Sequence, residues 1–281
     1  VRRQRQMCIR DRNDFMSNET TNKISLINLP DMPDCVDNAI QNITNEPTQN
    51  IGKTFSDLWY LVFGGISHLA DKKRMKYSSD LEKYQKELSN SIDEIPEDKR
   101  IEPDFQIATQ ALENSKYCIS SDILRKMFVN LISGNMNSDS EPLSHPSFPE
   151  VLKQMDETDA KILMELKQTG EAPIAVFDKT LKDKSRIIPY FVNAYISTLF
   201  CIPLHKCARS LTFLERVGFI TLQYDTYFDD KTRYAPFEKL DFFKEIDSYI
   251  KSEDSNSYLT IRKGICRTTP LGKDFIELCV L

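Results

Sequence analysis

Residues 187–224, IIPYFVNAYISTLFCIPLHKCARSLTFLERVGFITLQY, decide the fold of the second half of this 281-residue chain. Ile187, Ile188, Phe191, Val192, Tyr195, Ile196 and Leu199 recur at helical spacing, and Pro189 is admissible in a first helical turn. Leu204, Cys207, Ala208, Leu211, Leu214 and Val217 form a further helical stripe, which Gly218 closes. FITLQY at 219–224 alternates like a strand. Upstream lie a helix at 159–167 and a strand candidate, PIAVF, at 173–177. Downstream, YLTIR and GICRT within 258–268 read as a hairpin turning at Lys263-Gly264, and Thr269-Pro270 caps a last helix. Three helices, a strand, a hairpin and a closing helix follow the order of a winged helix-turn-helix, with an insertion around 225–257.

The first half reads as helices alone. Residues 51–76, IGKTFSDLWYLVFGGISHLADKKRMK, hold an apolar stripe of Ile51, Phe55, Leu58, Val62, Ile66 and Leu69 that Trp59 and Phe63 widen. Its apolar core, 58–70, is shorter than the roughly 20 residues needed to cross a bilayer, so the segment is amphipathic rather than spanning. A helix over 71–92 follows, then a Pro-interrupted break at 95–104, helices near 104–116 and 121–133, and a short one at Phe148–Met155. The expected fold is therefore mainly α with minor β. A helical bundle at 49–155 precedes a winged-helix-like domain at 156–281, and 13–48 reads as a flexible leader. Residues 1–12, VRRQRQMCIRDR, resemble translated sequencing-adapter sequence, which places the natural start near Met16 and removes their charge from the argument.

Composition narrows the function classes. The chain is 40% apolar and 28% charged with a net charge of −5, the profile of a folded protein rather than a disordered one. Neither half is the strongly basic body of a dedicated nucleic-acid binder. The seven cysteines form no CxxC pair, which favours reduced thiols in a cytoplasmic protein, with the inner face of the cell membrane as a second location. Gly52-Lys53-Thr54 lacks the leading glycine of a phosphate loop, because Pro47 stands there. Cys201, His205 and Cys207 do not share one helical face as metal ligands would, and His145 has no nearby nucleophile or carboxylate. No catalytic residue, cofactor site or metal site is expected.

Two surfaces are the candidates for function. On the 204–217 helix, Lys206, Arg209 and Arg216 lie opposite the apolar stripe around Phe213, and Arg262, Lys263 and Arg267 decorate the expected wing. That set suits DNA or a protein partner. On the opening helix, Trp59, Tyr60 and Phe63 with the cluster Lys72, Lys73, Arg74 and Lys76 suit a partner or a peripheral membrane contact, with bundle core as the competing assignment. A protein trigger or target and a second copy of the chain complete the expected partners.

With these elements placed, the sequence resembles the abortive infection alpha family of bacterial proteins. The resemblance is carried by GKTFSDLWYLVFGGISHLADKKRMKY, LEKYQKEL, IPEDKRIEPD, LRKMFVNLISGNM, HPSF, MDETDAKIL, FLERVGFI and TTPLGKDFIELC. It implies a role in defence against phage and brings no catalytic residues with it. A non-enzymatic defence protein acting through contacts is the expected function. A winged-helix transcriptional regulator with a helical dimerisation domain is the alternative.

Overall fold

The computed structural model describes residues 57–63 and 71–280, with side chains given for 57–63 and 76–280. The first twelve residues, the leader, Gly52-Lys53-Thr54 and the Gly64-Gly65 break lie outside the described residues, as do the side chains of Lys72, Lys73 and Arg74.

The helices of the first half sit where apolar spacing puts them. A short helix α1 at 57–63 buries Leu58, Trp59, Val62 and Phe63, and the Trp59 ring lies 5.5 Å from that of Tyr84. Tyr84, Leu88 and Ile92 form the buried stripe of α2 (Asp71–Asp93). Helix α3 (Phe105–Ser115) starts at Asp104, whose carboxylate accepts the Ile107 N–H at 3.0 Å. In α4 (Asp122–Asn135) the ladder Leu124, Met127, Phe128, Leu131 and Ile132 is buried. Arg125 of α4, itself buried, reaches Glu87 of α2 at 2.8 Å and binds the two helices. Helices α5 (Phe148–Gln154) and α6 (Glu157–Thr169) follow, the latter opened by a capping box between Asp156 and Asp159.

The second half departs from the expected order at two places. Residues 187–199 do not form a helix: Ile187–Ala194 is strand β2, paired antiparallel to β1 (Glu171–Leu181). A short apolar run rich in β-branched residues fits either period, and the neighbouring strand decides it. Pro189, placed in a helical first turn by its sequence position, instead sits on an edge strand, where a missing N–H is tolerated. Nor is 258–268 a hairpin. It is one continuous strand, Ser257–Thr268, the last of the sheet. Gly264 makes no turn there; a Cβ at that position would meet the Gln223 carbonyl oxygen and the Tyr224 ring, both at 2.5 Å.

Between these strands come α7 (Leu204–Arg216) and β3 (Ile220–Gln223), joined through Gly218 in the left-handed region at φ 80°. The insertion supplies α8 (Ala235–Lys239) and α9 (Asp241–Glu253). Strand β4 (Ser257–Thr268) and α10 (Pro270–Cys279) end the described chain. The four strands are antiparallel in the order β2-β1-β4-β3. Strand β1 pairs with β4 from Glu171↔Arg267 to Leu181↔Ser257, so the middle of the sheet is set by a long-range pair.

Two cores clasp this sheet. The larger joins the helices of the first half to α6, α7, α10 and the sheet residues Ala172, Ile174 and Cys266. Its aromatic centre is Phe148 against Phe219 and Phe275, with centroids 6.0 and 5.1 Å away. It runs unbroken past residue 156. Asn130 of α4 adds a bond to the Cys279 carbonyl at 3.0 Å. The smaller core packs Ala175, Phe177 and Leu259 against Tyr234, Phe237, Ile246 and Ile250 of the insertion. A strand covered on both faces has little need of polar alternation, and β1 is buried through Ile174–Asp178.

Candidate interaction surface

The residues singled out on the opening helix divide by burial. Trp59 and Phe63 belong to the larger core, whereas Tyr60 is 46% exposed and Lys76 is exposed.

The basic residues of α7 and β4 are mostly engaged within the fold. Arg209 meets Asp156 at 2.5 Å, and Arg216 bonds Gln154 at 3.0 Å while lying 5.2 Å over the half-buried Phe213 ring. Arg262 pairs with the buried Asp178 at 2.9 Å. Lys263 lies over the Tyr234 ring at 5.1 Å, and Arg267 bridges Glu171 at 3.0 Å and Gln223 at 2.9 Å. Lys206, also exposed, is the one member of this set with no ion pair, side-chain hydrogen bond or ring contact among the described residues. Arg262, Lys263 and Arg267 stand on an inner strand, not on a projecting wing.

The most heavily hydrogen-bonded buried carboxylate among the described residues serves packing. Glu165 on α6 accepts the Tyr195 and Ser197 hydroxyls and the Leu199 N–H at 3.0 Å, and so fastens the chain leaving β2. Burial, then Glu165 itself, pushes the Tyr195 phenol far above its ordinary value. Burial also pushes the Cys207 thiol up to about 11 and the Cys266 thiol up to about 12, leaving both as protonated packing groups. Cys201 is exposed while Cys207 is buried, and among the described residues no three His, Cys, Asp or Glu side chains are placed to hold an ion. His145 Nδ1 accepts the Ser147 N–H at 3.2 Å and lies 2.8 Å from its hydroxyl, which fixes a loop turn.

The surface that stands out is the tip of the β1–β2 hairpin, which helical spacing at 187–199 concealed. Every residue from Lys182 to Tyr190 is exposed. The turn is built locally: Asp183 accepts the Ser185 N–H at 3.0 Å and its hydroxyl at 2.7 Å, and Lys184 takes φ 58°. Lys182, Lys184 and Arg186 form no ion pair among the described residues, and Lys179 stands half-buried behind them. Beside them Ile187 is 59% exposed and Val192 50%, with Ile188 and Tyr190 also exposed. Helix α9 extends the patch. Phe242 meets Phe191 at 5.2 Å, and the exposed Tyr249 phenol is raised above its ordinary value chiefly by its bond to Glu253, with Tyr190 nearby the smallest contributor. The readable signal was DKS with flanking β-branched residues, the chemistry of a hairpin turn.

A family model described as abortive infection alpha matches residues 76–279. No curated protein matches the chain. Among solved structures, an uncharacterized protein from the hydrocarbon-degrading marine bacterium Alcanivorax borkumensis SK2 is similar at 17% identity and a TM-score of 0.32. That alignment covers 50% of this chain and 94% of the other.

Proposed function

The chain belongs to the abortive infection alpha family, and from that premise we propose that it is a non-enzymatic phage-defence protein of bacteria that acts by presenting a surface. The observation that carries the reading is the hairpin tip, where unpaired basic side chains stand beside exposed Ile187, Ile188 and Tyr190. Apolar exposure gathered at one end of a sheet marks a place of contact. The buried carboxylates and thiols, by contrast, are tied into packing. Five described cysteines are all unpaired, which supports work in the reducing cytoplasm. No described helix is long and apolar enough to cross a membrane, so any membrane contact through these helices is peripheral. A winged-helix DNA contact is the weaker reading, since Arg209, Arg262 and Arg267 each face an acid within the fold.

The test is a phage challenge at low and high multiplicity in cells expressing the chain. Culture collapse confined to high multiplicity supports abortive infection. Absence of protection at every dose, across a broad phage panel, removes the defence reading. Loss of protection in Lys182→Glu/Lys184→Glu/Arg186→Glu, with normal protein levels, ties the effect to the hairpin.

A further inference from the structure

We propose that the β1–β2 hairpin docks this protein on an anionic lipid surface. The proposal rests on reading the chain as one that acts through a surface, and it names what that surface meets.

Charge and apolarity coincide at the tip in the way an interfacial anchor requires. Between residues 179 and 190 the basic residues are Lys179, Lys182, Lys184 and Arg186, and Asp183 is the sole acid, its carboxylate turned to Ser185. The chain as a whole is net negative, so this positive tip is a local departure. Asp254 lies within the field of Lys179 and Lys182; the Ser257 hydroxyl, donating at 2.6 Å, keeps its carboxylate ionised, so it offsets part of this charge. Ile187 and Ile188 follow these cations, one on each face of the strand end, and belong to neither core, so the tip offers an aliphatic group on both sides. Tyr190 on the same strand and Tyr249 near it are exposed as well, the side chains favoured at the depth of lipid headgroups.

Aliphatic content separates lipid from nucleic acid here. A base stacks on aromatic faces and a phosphate takes cations, but neither gains from Ile187, Ile188 or Val192, which a nucleic-acid strand would leave wet. A bilayer interface accommodates all three kinds of group. Cations meet phosphates, tyrosines sit among headgroups, and isoleucines enter the acyl boundary. Direct strand addition by a protein partner is hindered on the same edge, because β2 carries Pro189 and two register shifts against β1.

The experiment is flotation of the purified full chain with vesicles of phosphatidylglycerol in phosphatidylcholine, and with phosphatidylcholine alone. Association with the anionic vesicles only, declining with salt, is expected. Lys182→Glu/Lys184→Glu/Arg186→Glu should weaken it on the order of a hundredfold, at about fivefold per basic residue. Ile187→Asn/Ile188→Asn should weaken it about tenfold while keeping the salt dependence. Both sets are exposed, so thermal unfolding should stay within about 2 °C of the parent. The proposal is overturned by failure to float with anionic vesicles at low salt, or by variants that bind like the parent. Preferential binding of a single-stranded oligonucleotide, or a dimer that Ile188→Asn dissolves, overturns it equally. None of these readouts involves phage. Vesicle binding without protection retains the lipid site and removes defence, and protection without vesicle binding does the reverse.

Discussion

Arg262 on β4 lies 2.9 Å from the carboxylate of Asp178 on β1, diagonally across the sheet from the Asp178↔Thr260 pair. Asp178 is buried and Arg262 is 45% exposed in its side chain, so the pair straddles the boundary between core and solvent. Removing the cation leaves a carboxylate without its counter-charge. Arg262→Ala should cost about 2 kcal/mol, below the ~3–5 kcal/mol of a fully buried pair because water reaches the arginine side. Adding Asp178→Asn should recover part of the loss. Urea unfolding of the two single variants and the double variant measures the coupling directly.

Trp59 packs 4.4 Å from Phe63 and 5.5 Å from Tyr84, centroid to centroid. Trp59→Ala should therefore destabilise the protein by about 3 kcal/mol through lost burial and a residual cavity. A circular dichroism melt unchanged by this substitution would place the ring outside the core.

Asp159 couples stability to pH. Burial is the largest influence and raises its carboxyl to about 6 from an ordinary value of 3.8, while the Ser210 hydroxyl and then the capping-box bond from Asp156 act in the opposite direction. A folded-state value above the unfolded one means that the folded chain prefers the protonated form. Stability from this group is thus greatest below about pH 4 and is lost as pH rises through 6. Asp159→Asn keeps an acceptor for the Asp156 N–H and removes the ionisation. It should flatten the pH dependence of melting between roughly pH 4 and 6 and raise stability at pH 7.5 by about 1–2 kcal/mol. A variant with the parent's pH profile would contradict this assignment.

Gly264 tells strand from turn. An added methyl would lie 2.5 Å from the Gln223 carbonyl oxygen, so β3 would have to shift. Gly264→Ala should cost about 2 kcal/mol, or roughly 4–8 °C in melting temperature for a chain of this size. In a solvent-facing hairpin turn the same methyl would meet no such backbone. Differential scanning fluorimetry distinguishes the two.

Local signals explain which parts of the fold were legible. The helices that start after Asp104, Ser121 and Asp156 declare themselves by apolar residues three and four apart, information held within one element; the side-chain caps at Asp104 and Asp156 add to it, whereas Ser121 makes no side-chain cap bond. The identity of 187–194 is not local. Ile187, Ile188, Phe191 and Val192 satisfy a helical stripe, and only pairing with β1 selects the strand. Lys263-Gly264 has the composition of a turn, yet the glycine is needed for close approach to Gln223. The candidate surface suffered from the same cause. The acids that engage Arg209, Arg262 and Arg267 lie 53, 84 and 96 residues away, beyond any spacing argument. Lys182, Lys184 and Arg186 were overlooked because a helix starting at Ile187 would have drawn the neighbouring apolar residues inward.

Strand β2 keeps its outer lip irregular. Against β1 its register shifts once between Ala175 and Phe177 and again between Phe177 and Asp178, and Pro189 lacks a donor. An even lip beside Ile187 and Ile188 would be a template on which copies could zip together into fibres. The breaks remove the regular edge that such growth needs while the apolar side chains stay outward. Pro189→Val should lower the concentration at which thioflavin-positive fibrils first form.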